Sequence, residues 1–169
     1  MDALQAILSR RSIRQYTSDR VPDELVDEIL HAAMSAPSAG NQQPWHFVII
    51  REHQKLDAIP LFHPHADMVK SASVAILVCG DMRLDRNKGY WVQDCSAATQ
   101  NLLLAVHAHG LGAVWVGVYP REDRVAEFRK LLQIPQEVTP FALVPVGYPA
   151  ESKPPSNRYD SSRIHQDQW

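Results

Sequence analysis

The chain has 169 residues, 45% of them apolar and 21% charged, an ordinary composition for a folded protein able to bury a core without metal or disulfide staples. A formal net charge of −2 gives no global attraction for nucleic acid or an anionic membrane, so any phosphate site has to be local. With only Cys79 and Cys95, both in apolar or helical surroundings, a disulfide framework and a thiolate metal cluster are disfavoured. The first residues carry charges and no continuous apolar region, and no apolar stretch approaches the roughly 18 residues that span a bilayer. The expected location is the cytoplasm.

In chain order, Asp2 can cap a short helix to about Ser9, after which Arg10, Arg11, Ser12, Ile13 and Arg14 break the apolar period and form a loop. Residues 22–36 place Leu25, Val26, Ile29, Leu30 and Ala33 at helical spacing, with Asp23 and Glu24 in the first turn. The helix ends before Pro37. Trp45–Ile50 predicts a strand, and residues 54–59 a short helix that gives way to a loop over 61–65. Residues 72–79 are an apolar run suited to a strand buried on both faces. Residues 91–109 predict a long helix whose second half is apolar almost all round, as at a centre or a subunit interface; Gly110 and Gly112 end it. A strand over 113–118, a helix over 121–132 opened by Pro120 and a last strand over 141–146 follow, and from Tyr148 the chain is polar and without period. The sum is one α+β domain over 1–169 with about four core strands.

Several segments could carry chemistry. The 10–14 loop offers guanidinium forks, a hydroxyl and loop amides, the groups that hold a phosphate monoester, although cations near a helix C-terminus also serve its dipole. The 37–45 loop sets small residues beside Asn41 and Gln43, which would admit a flat ligand to the backbone, although the same composition suits an ordinary helix-to-strand connection. The segment 110–117 lacks the third glycine and the strand-to-helix order of a dinucleotide fingerprint. His63 with His65, and His107 with His109, lack the spacing and carboxylate company of a metal site and read as surface or core histidines. Ser12 and Ser38 have no nucleophile-elbow context, which argues against a hydrolase.

Arg10-Arg11-Ser12-Ile13-Arg14, the run from Pro37 through Trp45, and Trp115-Val116-Gly117, in that order, resemble the nitroreductase family of FMN-dependent oxidoreductases. The resemblance covers nearly the whole chain. It implies a central mixed β-sheet wrapped by helices, in an interlocked homodimer whose two FMN sites each draw residues from both chains, with residues 148–169 draped over the partner. It also implies that Arg10, Arg11 and Ser12 hold the FMN phosphate with Arg158, and that Arg14 holds the pyrimidine edge. Pro37, Ser38, Ala39 and Asn41 would form a wall of the ring site supplied by the partner. Val114, Trp115, Val116 and Gly117 would present backbone to the flavin, and Gln93 and Ser96 would reach toward the ring. The chain is short for that family, lacking a helical insertion over the flavin, and Gly40 adds freedom beside the wall.

The expected activity is therefore an NAD(P)H oxidoreductase that reduces nitroaromatics, quinones or related electron-poor acceptors in a ping-pong scheme, with no metal and with the flavin carrying the chemistry. Two alternatives stay open. One keeps the fold and changes the flavin reaction to dehalogenation, ring oxidation or consumption of the flavin; the other is a non-catalytic flavin- or anion-binding protein.

Overall fold

Asp2 starts the first helix, α1 (Ala3–Ser9), by accepting a hydrogen bond from the Gln5 N–H at 2.8 Å. The structure, a computed structural model, describes residues 1–154 and 156–169. In α2 (Asp23–Met34), Asp23 and Glu24 face the helix dipole and Val26, Ile29 and Ala33 form the buried stripe. Pro22 is its N-cap and Ser35 its C-cap, so the helix is shorter than the 22–36 pattern suggested. A 3-10 turn, Ala39–Asn41, leads into β1 (Trp45–Ile50).

α3 (His53–Phe62) runs further than its sequence predicts, through Pro60. Leu56 and Ile59 anchor it in the core, and Phe62 meets Phe128 edge to face at 5.1 Å, so packing holds a last turn in which proline has removed one backbone bond. After another 3-10 turn, Asp67–Ser71, comes β2 (Val74–Asp81), buried along its whole length. Its alternate residues Val74, Ile76 and Val78 enter one core cluster with α2 and with α4 (Trp91–Ala108). Ala75, Leu77 and Cys79 enter the other, with α3 and α5 (Glu122–Leu132). The apolar run at 72–79 is thus the middle strand of a helix–sheet–helix sandwich. Burial also pushes both cysteine thiols up, which keeps them protonated.

The remaining strands are β3 (Gly112–Ala113), β4 (Val116–Gly117) and β5 (Val138–Gly147). The order is β1-β2-β5, with β3 and β4 following one another along the outer side of β5. Every ladder is antiparallel, and a parallel bridge between Ser12 and Ala113 makes the sheet mixed.

The continuous strand expected over 113–118 is interrupted. Gly112 pairs with Gly147 and Val116 with Leu143 in one register, which places Val114 opposite Pro145. Proline has no N–H to give to the ladder, so pairing lapses there. Pro140 is handled the same way, beside the irregularity at Val78 and Cys79. The strand tolerates two prolines because Pro140 lies beside the irregularity with β2 and Pro145 keeps its pairing with Ala75 and interrupts only the β3/β4 side.

The polar segment after β5 divides in two. Residues 148–154 are held by their own chain: Thr17 N–H donates to Tyr148 O at 2.9 Å, Ala150 N–H to Gln15 O at 2.8 Å, and the Lys153 ammonium to Ser12 O at 2.7 Å. Residues 156–169 are exposed. Among the described residues no helix is long and apolar enough to cross a membrane.

Candidate functional site

The 10–14 loop is fixed by the outer side of β3. Ile13 N–H donates to Ala113 O at 2.9 Å, and the buried Ile13 side chain sits so close over Gly112 that a Cβ there would lie 2.7 Å from Ile13 Cγ2. With Ile13 turned inward, Arg14 extends into a groove of about 450 Å3 with His63, Pro64, His65, Met68, Arg124 and residues 114–117. Glu151 accepts from the Arg14 N–H, a bond that is the main cause of its lowered pKa and keeps it ionised.

The other cations of the loop differ in what they meet. Arg11 turns away from the groove: its Nε–H donates to Pro154 O at 2.9 Å and its Nη1–H to Leu8 O at 3.1 Å and Arg10 O at 2.6 Å. Its visible role is to tie the end of α1 to the 148–154 segment. Arg10 has no carboxylate partner among the described residues. Burial first, then Arg158 and Arg11, lower its pKa. Ser12 forms the parallel bridge, its carbonyl held by Lys153.

Residues 114–117 present backbone because β3 and β4 form the edge of the sheet. In an antiparallel pair, successive residues point their N–H and C=O alternately toward and away from the partner strand. Val118 N–H donates to Phe141 O at 3.1 Å, facing β5, whereas Ala113 O faces outward to Ile13. By that alternation Trp115 and Gly117 turn their backbone groups outward, along the groove. Val114, Val116 and Val118 send their side chains into the core, while Trp115 stays partly exposed and stacks edge to face on Phe141 at 5.7 Å.

The 37–43 loop lies elsewhere, outside the groove of its own chain. Gly40, Asn41 and Gln43 all have positive φ, at 55°, 53° and 47°. Two of the three are not glycine, so this backbone is held by its surroundings. The buried Asp94 carboxylate accepts from Ala39 N–H at 2.9 Å and from the Gln42 side-chain amide at 2.7 Å, while Asn87 donates to Ala39 O at 3.1 Å. Ser38 Oγ accepts from Gln43 N–H at 3.0 Å. Pro37, Ser38, Ala39 and Asn41 are thereby set as a rigid strip on the surface. Gln93 is exposed on α4, and the Ser96 hydroxyl donates to Val92 O at 2.7 Å, both away from this chain's groove.

A larger cavity, about 650 Å3, lies beside Arg20, Arg51 and Lys70. Its cations are already matched, Arg20 and Arg51 by Asp23 and Lys70 by Asp67, so it offers less to an anion than the Arg10 neighbourhood. Sequence reasoning missed Asp94, Gln42, Asn87, His63 and Arg124. Asp94 belongs to no spacing pattern, Gln42 lies inside the 37–45 run without a mark of its own, and His63 reads in sequence as a core or surface histidine.

The sequence pattern of the Nitroreductase family matches residues 7–70 and 63–148. A protein of Methanothermobacter thermautotrophicus, provisionally named NADH dehydrogenase/NAD(P)H nitroreductase, is 54% identical over 169 residues, 100% of this chain and 88% of its own. A crystal structure of the same provisional name from Parabacteroides distasonis superposes with a TM-score of 0.95 at 42% identity, covering 98% of each chain. A nitroreductase from Desulfovibrio desulfuricans, provisionally so named and solved in complex with FMN, gives a TM-score of 0.86 at 35% identity, over 100% of this chain and 99% of that one. The chain belongs to the nitroreductase family.

Proposed function

We propose that this protein is an FMN-dependent NAD(P)H oxidoreductase whose flavin sites are completed by a second copy of the chain. The observation that carries this reading is the 10–14 loop, pinned to Ala113, which sends Arg14 into the groove and leaves Arg10 without a carboxylate partner among the described residues. Guanidinium forks left without a carboxylate suit an anionic ligand. The groove is roomy enough for a flat ring system and is bordered by an uncovered strand edge, so the residues present fit FMN. The names of the relatives, NAD(P)H nitroreductase and an FMN complex, support the same reading.

In this account Arg10 and Arg158 hold the phosphate beside the Ser12 hydroxyl, and Arg14 holds the pyrimidine edge. Arg11 acts at one remove, by fixing the loop to the 148–154 segment. The outward backbone of Trp115 and Gly117 meets the edge of the ring. Pro37, Ser38, Ala39 and Asn41 of a second copy close the opposite side, with Gln93 and Ser96 of α4 nearby. Exposed apolar side chains on α1, namely Leu4, Ile7 and Leu8, together with Trp169, offer that copy a surface to cover. The 156–169 segment is free to lie on it.

Bound FMN would supply two-electron chemistry, accepting hydride from NAD(P)H and passing electrons to a nitroaromatic, quinone or related acceptor. The chain's own residues orient it, exclude water from one face and place Arg14 where negative charge develops. One groove serves donor and acceptor in turn, a ping-pong arrangement. Chromatography of the flavin released on denaturation tests the assignment: FMN is expected, because the arginines of the 10–14 loop suit one terminal phosphate. Release of FAD, or no flavin after reconstitution with FMN, overturns it.

A further inference from the structure

We infer that His63 is a positioning residue which, with Arg124, clamps the Gly117 carbonyl and so fixes the backbone edge that faces the flavin. The inference rests on the proposed flavin reading and adds a residue to it. His63 is 1% exposed and its Nε2 lies 2.9 Å from Gly117 O, while Arg124 donates Nη1–H to the same oxygen at 3.0 Å. A carbonyl only accepts, so His63 carries its proton on Nε2.

The need for such a clamp comes from the sheet. β3 and β4 are edge strands of two residues each, and their pairing with β5 lapses between them opposite Pro145. The ladder therefore holds residues 114–117 less firmly than a full strand would. Outward-facing carbonyls on this edge have no further strand to meet. Ala113 O is held by Ile13 N–H at one end of the segment, and Gly117 O by His63 and Arg124 at the other. Between these anchors only the outward backbone of Trp115 and the Gly117 N–H stay open to a ligand.

One donor would satisfy the Gly117 carbonyl, so a second adds direction. The two donors come from different elements, His63 at the C-cap of α3 and Arg124 in the first turn of α5, which pack together through Phe62 and Phe128. The ring is kept neutral, mainly by burial, and Arg124 opposes its protonation. Its Nδ1 is left buried and without a hydrogen-bond partner among the described residues. Stability alone would favour an apolar side chain of similar size there, because Arg124 would still serve the carbonyl and no buried acceptor would be orphaned.

The test compares His63→Leu, which keeps volume and removes the donor, with His63→Gln, whose amide can reach the same oxygen. Amide hydrogen exchange over residues 114–118 in flavin-free protein reads the clamp directly; FMN dissociation constants and flavin midpoint potentials read its consequence. His63→Leu is expected to speed exchange and to weaken FMN binding roughly 5-fold, the scale of one lost hydrogen bond, with a change in potential, and His63→Gln to restore all three. Unchanged exchange in His63→Leu overturns the clamp, as does a loss shared equally by both variants in step with their melting temperatures. Wild-type protein that shows the exchange difference from His63→Leu but binds no FMN overturns the functional reading and leaves the clamp standing.

Discussion

Arg14 and Arg158 carry the same charge and are expected to do different work. In the proposed site Arg14 would lie where negative charge grows on reduction of the flavin, whereas a phosphate held by Arg10 and Arg158 would keep its charge throughout. An interaction stronger in one redox state than the other shifts the potential as well as the affinity. Arg14→Ala should lower the flavin midpoint potential by about 20–60 mV, equivalent to roughly 1–3 kcal/mol of lost stabilisation for a two-electron couple, and slow reduction by NAD(P)H. Arg158→Ala should chiefly weaken FMN binding. Spectroelectrochemistry and dissociation constants for both variants separate the roles; equal potentials with loss of affinity alone would make Arg14 another phosphate clamp. At this scale the sequence was legible where short motifs stand out: Arg14 and residues 114–117, distant in the chain, line one groove. Arg11 belonged to the same motif and turns elsewhere, because the carbonyl it meets, Pro154 O, comes from the far end of the chain. Asp94 and His63 left no local trace, since each acts on a backbone group more than 50 residues away, as the separations of 55 and 54 show.

Elements were legible by their periodicity and misjudged where tertiary contacts decide. The two-sided burial of β2 and the amphipathic stripe of α2 follow from their apolar patterns. The split between β3 and β4 does not, because its cause, Pro145, sits in another strand. The extension of α3 past Pro60 depends on the Phe62–Phe128 contact. The fit of the 10–14 loop onto β3 is a further element-level feature, and it turns on Gly112 lacking a Cβ. Gly112→Ala should push Ile13 outward, at a cost of about 1–3 kcal/mol in stability, and weaken FMN binding by displacing Arg10 and Arg14 with it. Thermal unfolding of flavin-free protein and FMN titration check this. Retention of wild-type affinity despite lost stability would show that the loop holds its place without Ile13.

In the whole molecule the groove with Arg14 and the strip at 37–41 lie apart in one chain, so the proposed ring site would be closed only between two copies. Flavin binding and association should then be linked, because a ligand stabilises the state that holds its complete site. Light scattering over a dilution series should show a dimer whose dissociation is accompanied by release of flavin; a monomer that keeps its FMN would contradict the shared site. The most direct test of the account is anaerobic titration of the FMN-loaded protein with NADH and with NADPH, followed by absorbance of the flavin. At least one nicotinamide is expected to bleach the flavin stoichiometrically, and a nitroaromatic or quinone then to restore its colour. A flavin that stays oxidised in the presence of both would contradict it and leave a protein that binds FMN without using it.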